Sequence, residues 1–294
     1  MPAEAPHETP WAGRRLALAA SGLVLVSACS PVEARGGGYC APPVVAPSAF
    51  VSDPEPPAGA SRSAHLAALL GLGGKATEDA ALPVETRVLV VERVELARLA
   101  IASTSAELEC ESERAEQAAD YLTRRQSKNV QALTIASIAA AALTGIAGVF
   151  LSTRGAPGDD QDAFAIGGGG VTAALGLASL YVHPHADFEH PRNLLADVWA
   201  GPSASSVYPP FVWTYLTRAA FSNGQREAIR EKIVARWRRF EQVDDPSTEA
   251  LLFGRGGSYD ADTLRTRSAM LDEVRAEVEL THQDLAAFAE ALLK

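Results

Sequence analysis

The apolar positions of this chain concentrate in two uncharged segments, residues 129–152 and 164–182, separated by a short polar loop. The loop, residues 153–163, contains Gly, Pro and three Asp residues. An α-helix rises about 1.5 Å per residue, so the first segment alone is long enough to cross the roughly 30 Å hydrocarbon core of a bilayer. The pattern predicts a hairpin of two apolar helices joined at this loop.

Small residues recur at every fourth position along each apolar segment. They are Ala136, Ala140, Thr144, Gly148 and Ser152 in the first segment and Gly170, Ala174 and Ala178 in the second. Faces of small residues let helix backbones approach closely in lipid, so we expect the two segments to pack through these faces. The pattern is similar to the glycine-zipper hairpins of some bacterial envelope proteins, a resemblance confined to this stretch.

A second interpretation of the hairpin stays open, in which the two helices are buried in a soluble bundle or in the core of an oligomer. The four glycines at 167–170 favour it, because four glycines lower helix propensity by roughly 3–4 kcal/mol relative to alanine. If the second helix begins only at Val171, its apolar part is too short to cross a bilayer.

The other segments also predict helices, so the expected fold class is all-α. Residues 84–128 contain neither Gly nor Pro, and a helix with Pro83 in its first turn is expected to run unbroken into the first apolar segment. Near the C-terminus apolar residues recur in heptad register. They are Leu264, Leu271, Val278, Leu285 and Leu292, with Val274, Thr281 and Phe288 between them. This pattern predicts that the last helix packs against residues 84–128 or against a second copy of the chain.

Another cluster of large side chains lies between the hairpin and the last helix. It comprises Tyr208, Phe211, Trp213, Tyr215 and Phe221. Aromatic residues of this kind form either a hydrophobic core or a belt at the membrane interface, and we favour the core.

The N-terminus has the features of a signal peptide. Arg14 and Arg15 form a short basic region, and residues 16–26 form an apolar region that is too short for a membrane span. An aliphatic residue and two small residues then lead directly into Cys29. This ending resembles the lipobox of bacterial lipoproteins, which implies cleavage before Cys29 and lipid attached to that residue. An ordinary secretory signal is the alternative.

The residues around both predicted attachments indicate which membrane is used. Ser30 rather than Asp follows the cysteine, which in Gram-negative lipoproteins implies transfer to the outer membrane. Arg124, Arg125 and Lys128 precede the hairpin, and both hairpin ends must lie on the side of the lipid anchor. In an inner-membrane protein this arrangement would violate the positive-inside rule. We therefore expect an outer-membrane lipoprotein that faces the periplasm.

The predicted organisation has five parts. These are a signal peptide (1–28), a lipidated Pro/Gly/Ser-rich tether (29–63), a long helical region (64–128), the apolar hairpin (129–182) and a C-terminal helical region (183–294). Once residue 29 carries lipid, two cysteines remain, Cys40 and Cys110. In an oxidising periplasm they are a candidate disulfide, with two unpaired thiols as the alternative.

Candidate chemistry is confined to the segment after the hairpin. It contains four potential metal ligands, His183, His185, Asp187 and His190. Pro184 and Pro191 deny this segment a regular helix, so we favour a structural turn over a metal site. Residues 254–258 are glycine-rich but lack the Lys-Ser/Thr ending of a phosphate-binding loop, and they also predict a turn.

No feature of the chain predicts catalysis or a cofactor. The motifs of serine hydrolases, zinc proteases and nucleotide-binding loops are absent from the sequence. A net charge of −10 does not favour nucleic acid as a partner. We expect a lipid-anchored envelope protein with a structural, adaptor or scaffold role, which binds the membrane and either its own copies or other envelope proteins. The alternatives are an oligomeric pore or secretion component built from the hairpin, and a metal-dependent enzyme.

Overall fold

A pair of long antiparallel helices organises the structure, which is a computed structural model. Helix α2 spans Val84–Thr153 and runs unbroken for 70 residues, as the absence of Gly and Pro from its first half predicts. Helix α8 spans Ala261–Leu293. Ser112 contacts Ser268, and Ser105 donates to Glu279 Oε1 at 2.6 Å, so the two helices run in opposite directions. The all-α fold class, with the C-terminal helix packed back on the long helix, is confirmed.

The heptad residues of α8 form one side of the seam between these helices. All eight predicted positions, from Leu264 to Leu292, are buried. On α2 the buried apolar residues of the seam include Ile101, Leu108, Ala115 and Leu122, which also recur every seven residues. Matching seven-residue repeats keep both apolar stripes in contact along the pair. The internal partner predicted for the last helix is therefore the one found.

The same heptad register also buries a charged residue, Arg267, which is fully enclosed. Its Nη1 donates to Leu252 O at 2.9 Å and to Asn193 Oδ1 at 3.3 Å. Asn193 Nδ2 in turn donates to Leu252 O and Gly254 O, both at 2.8 Å. These bonds connect α8 to Asn193 and to the segment from Leu252 to Gly254, so a polar cluster fixes the position of the shorter elements.

The shorter helices pack around this pair, except for α3, which pairs with the C-terminal half of α2. They are α1 (Arg62–Leu69), α3 (Gly158–Ala178), α4 (Leu194–Ala200), α5 (Pro210–Thr217), α6 (Ile229–Arg239) and α7 (Pro246–Phe253). The structure describes residues 32–33, 40, 52–57, 59–73, 82–155, 158–224, 226–243 and 245–293, with side chains left out at 32–33, 158–165 and 293. All of these belong to one unit, Pro31–Lys294. The predicted signal peptide, 1–28, and the predicted lipidation site, Cys29, lie outside the described residues.

A small sheet joins the N-terminal segment to the body, and the sequence did not predict it. It contains β1 (Val32–Glu33), β2 (Ala186–Glu189) and β3 (Gly256–Tyr259) in the order β1-β2-β3. β1 runs parallel to β2, and β3 runs antiparallel to it. The turns predicted at 183–190 and 254–258 are therefore partly strands. Strands of two to four residues are too short to be recognised from alternation in the sequence. Gly256, at φ 98°, approaches Phe188 O so closely that no side chain would fit.

Two contacts attach the N-terminal segment to the helices. Cys40 and Cys110 are joined by a disulfide whose Cα atoms are 5.5 Å apart, which is the ordinary spacing for this bond. Further along, Asp53 N donates to Ala68 O at 2.8 Å and Ser52 Oγ donates to Leu69 O at 3.0 Å. Part of the region predicted as a free tether thus packs on α1.

Candidate membrane-entry hairpin

Helix α2 has two halves with opposite environments. From Val90 to Leu122 it contributes twelve buried residues to the body. From residue 123 to its end at Thr153 it has none. Because the helix is continuous, the second half extends the axis of the first half away from the body.

The half of α2 that leaves the body is apolar on its exposed surface. Its exposed large side chains are Ile135, Ile138, Leu143, Ile146, Val149 and Phe150, and those of the returning chain are Ile166, Val171, Leu177, Leu180 and Tyr181. Among the described residues, α2 is the one helix long and apolar enough to cross a membrane, and a shorter apolar helix covers Ile166–Tyr181. None of the membrane-length apolar stretch of α2 is buried within the chain. The hairpin is therefore not a buried pair inside this chain's own bundle.

The turn of the hairpin is shorter than predicted. Helix α2 ends at Thr153 and α3 begins at Gly158, whereas the sequence predicted a loop over 153–163. The glycines at 167–170 lie inside α3, so the second helix begins before Val171. Its first residues include three aspartates, and its apolar part, Ile166–Tyr181, corresponds to about 24 Å, which is shorter than the hydrocarbon core of a bilayer.

The two helices of the hairpin are in close contact at Thr144 and Gly168. A Cβ atom added to Gly168 would overlap Thr144 Cγ2 and would lie 2.9 Å from Thr144 Cβ. On α2 the predicted small-residue face is partly right: Ala140, Thr144 and Gly148 are half-buried, whereas Ala136 and Ser152 are exposed.

On α3 the predicted face is wrong. Gly170, Ala174 and Ala178 are exposed, and the half-buried positions of the described return segment are instead Gly168, Thr172, Leu175 and Ser179. Two residues correspond to about 200° of rotation around a helix, so the predicted residues point almost directly away from α2. Small residues at four-residue spacing occur on more than one face of α3. The spacing alone therefore does not identify the face that packs against α2.

We predict that alanine at Gly168 separates the hairpin helices, whereas alanine at Gly170 does not. A methyl group at Gly168 collides with Thr144, but one at Gly170 meets no atom within 4 Å. Overpacking costs about 1–3 kcal/mol, and both variants gain the same helix propensity. Unfolding by dodecyl sulfate in mixed micelles can be followed by circular dichroism. The midpoint should be lower for Gly168→Ala than for Gly170→Ala, because the free energy of unfolding is smaller by the cost of overpacking. Equal midpoints would contradict the Thr144–Gly168 contact.

The serine and threonine hydroxyl groups of the hairpin are satisfied within their own helices. Each donates to a carbonyl three or four residues earlier, at 2.6–3.0 Å. The donors are Thr134, Ser137, Thr144, Ser152, Thr172 and Ser179. A polar group bonded in this way needs no water, so these residues are compatible with a hydrocarbon environment.

Aromatic side chains mark both ends of the hairpin. Tyr181 is 80% exposed where the returning chain ends, and Tyr121 is exposed where α2 leaves the body. At the tip, the guanidinium of Arg154 lies 4.1 Å from the ring centroid of Phe150. Tyrosine is typical of the membrane interface, and the sequence did not single out these positions. By contrast, the aromatic cluster at 208–221 is buried, as favoured, in the core.

Strand β2 separates the four candidate metal ligands. Side chains alternate along a strand, so Ala186 and Phe188 are buried while Asp187 is exposed. His183 and His185 are exposed like Asp187, whereas His190 continues the buried series. No group of three potential metal ligands comes together among the described residues.

His190 instead holds the sheet against the loop before β3. Its Nδ1 lies 3.0 Å from Gly254 O and its Nε2 lies 2.8 Å from Tyr259 Oη. A carbonyl oxygen only accepts, so in the neutral ring Nδ1 carries the proton. The Tyr259 hydroxyl also lies 2.7 Å from Leu251 O, so its one proton is shared between that carbonyl and Nε2. Burial, together with the positive charges of Arg267 and Arg114, lowers the pKa of His190 from 6.5 to about 3.

This pKa predicts that His190 makes the fold acid-sensitive. The unfolded chain takes up a proton near pH 6.5 and the folded chain does not until about pH 3, so stability is present above pH 6.5 and is lost as the pH falls through this window. We expect about 2 kcal/mol of loss between pH 7 and 5.

The matched control for this loss is His190→Gln, which cannot titrate. Comparing the urea midpoints of the two proteins at each pH cancels the contribution of Glu107, whose pKa is raised to about 7 by burial and which acts in the opposite direction. A difference between the two proteins that stays constant with pH would contradict the role of His190.

No family model, curated protein or solved structure matches this chain, so the candidate function rests on the hairpin and the body alone.

Proposed function

We propose that this chain is a structural or adaptor protein of a bacterial envelope, whose apolar hairpin enters a bilayer while its helical body stays outside. One observation carries the proposal: a membrane-length apolar stretch of α2 has no buried residue in the chain. Exposing that surface to water would cost roughly 25 cal/mol for each Å² of apolar area. Lipid covers such a surface without the need for a specific protein partner.

A second attachment is proposed at Cys29, through the lipid that the lipobox implies. Cys29 precedes β1 by three residues in the sequence, so a lipid there would be joined to the body by a short covalent link. The disulfide between Cys40 and Cys110 secures the same N-terminal segment to α2. A lipid chain and an inserted hairpin together bind a membrane far more firmly than one acyl chain.

The continuity of α2 favours an adaptor role. The part of α2 outside the bilayer, residues 84–128, is about 67 Å long and continues the direction of the inserted part. It would hold the Val84 end of the body far from the lipid surface. An adaptor needs such a spacer, whereas a pore needs polar groups facing a channel, and the hairpin hydroxyls donate to their own helices.

Alkaline carbonate extraction of a Cys29→Ala variant tests the proposal. The variant is exported through a cleavable signal without a lipobox, so that no lipid holds it. We expect it to remain in the membrane pellet and to be released only by detergent. Release as a soluble protein would overturn membrane entry.

The control for this extraction removes the hairpin alone. Gly168 faces Thr144 in an antiparallel pair, so Tyr181 comes level with Gln131, thirteen residues further along each helix. Replacing residues 132–180 by a short Gly-Ser linker therefore spares the contacts of the body. This variant should be soluble, with the disulfide and the body helices intact.

A further inference from the structure

A cluster of basic residues lies on α2 at the base of the hairpin. Arg124, Arg125 and Lys128, here called the basic collar, lie between the last buried residue of α2, Leu122, and the apolar segment. Arg124 and Lys128 are exposed, and Arg125 is half-buried. The collar occupies the level at which lipid headgroups would meet the body if the hairpin enters a bilayer, so any role of the collar in lipid binding rests on the proposed function.

The acidic groups near the collar lie on the side away from the hairpin. Asp120 is one turn further from the hairpin than Arg124 and lies 4.0 Å from it and 3.9 Å from Arg265. Lys128 is two turns beyond Asp120 and forms no ion pair with a described residue. Asp262 and Asp187 are exposed on neighbouring elements. The layer nearest the hairpin is thus cationic, and the acidic layer lies behind it.

The returning chain adds uncharged and titratable groups at the same level. Tyr181 is exposed at the end of the hairpin, followed by the exposed His183 and His185. On the body side, Arg265 Nη2 donates to Thr123 Oγ1 at 2.6 Å, which adds another cation close to the collar. Acidic side chains are missing from this level of the described return segment.

The charge of the collar opposes that of the rest of the chain. The chain carries −10 overall, and the tip of the hairpin has three aspartates against Arg154. A protein of this charge is repelled from an anionic surface unless the part that touches the surface is basic. Surface potentials act over about one Debye length, roughly 8–10 Å. The interaction with an anionic membrane surface therefore depends more on the charge of the collar than on the net charge of the chain.

We infer that the basic collar binds the phosphate groups of anionic lipid headgroups at the membrane the hairpin enters. Arg124 and Lys128 supply exposed cations at the headgroup level, and Tyr181, which comes level with Gln131, lies about one turn from Lys128 on the side of the hairpin. The occupant is an anionic lipid surface, and the collar sets both how deeply the hairpin enters and which lipids surround it.

Flotation with lipid vesicles tests this inference. The full chain carrying Cys29→Ala is mixed from detergent with vesicles of phosphatidylcholine alone or with added phosphatidylglycerol, at low and high NaCl. We expect about tenfold stronger association with the anionic vesicles at low salt, and loss of that preference at high salt. Arg124→Gln with Lys128→Gln should remove the preference but leave binding to phosphatidylcholine unchanged.

The matched control changes two arginines on the same helix, far from the collar. Arg87 is exposed, and Arg98 is paired with Glu95 at 3.4 Å much as Arg124 is paired with Asp120. Arg87→Gln with Arg98→Gln removes the same charge and should keep the preference. The inference that the collar binds anionic lipid would be overturned by either of two results. One is an equal loss of the preference in both variants, and the other is equal binding of the protein with the unchanged collar to both kinds of vesicle. Failure to bind either vesicle would instead overturn membrane entry.

Discussion

Replacing Ile138 and Leu143 by arginine is expected to release the Cys29→Ala protein from membranes while leaving its body folded. These side chains are 64% and 67% exposed in the chain, so arginine at either position meets no steric obstacle in water. In a bilayer both positions lie near the middle of the inserted part of α2. There each arginine costs about 2.5–3.5 kcal/mol, so the pair opposes insertion by about 5–7 kcal/mol.

The control for this experiment lies on the same helix. Val88 and Leu99 are 61% and 58% exposed but belong to the half of α2 that packs in the body. Arginine at these two positions adds the same charge to surfaces of the same exposure, and it should not change the carbonate-resistant fraction. If both double variants behave alike, the apolar surface of the hairpin does not contact lipid.

Removing the disulfide is expected to produce the second large effect, on the free energy of unfolding. The bond links residues 70 apart in the sequence. A loop of that size restricts the unfolded chain enough to contribute about 4 kcal/mol in the chain-entropy treatment, and measured values run from about 2 to 4 kcal/mol. Cys40→Ser with Cys110→Ser in the Cys29→Ala protein should lower the urea midpoint in detergent accordingly.

A reducing agent provides the control for the disulfide prediction. Dithiothreitol should lower the midpoint of the Cys29→Ala protein to that of the variant with both serines, and it should leave the latter unchanged. A variant that unfolds at the same urea concentration as its parent would show that the disulfide does not stabilise the body. A variant that still responds to the reductant would show that the effect is not due to this bond.

The features that the sequence predicted correctly are periodic and long. The heptad of α8, from Leu264 to Leu292, specifies an apolar stripe whatever the partner, and residues 84–128 cannot interrupt a helix because they contain no Gly or Pro. The apolar length of the hairpin is likewise a property of the local sequence. These features depend on repeats that run over many turns, so a few residues of error do not change them.

Features that depend on one rotation or one contact were not predictable in the same way. The packed face of α3 is set by a turn of a few residues after Thr153, and the four-residue period is equally compatible with Gly168 or Gly170. Whether the hairpin would be buried by the chain's own helices also depended on tertiary structure, because α8 pairs with the first half of α2.

The polar residues of the body show the same division. His190 belonged to a candidate metal cluster by composition, but strand alternation turned it inward, away from His183, His185 and Asp187. Arg267 fell in the heptad register, and its burial depends on acceptors at Leu252 and Asn193 that are distant in the sequence. Sequence by itself determined the helices and the apolar hairpin, since periodicity and length are local properties. Tertiary structure alone decided which faces meet and which polar groups are enclosed, because those depend on contacts between residues far apart in the chain.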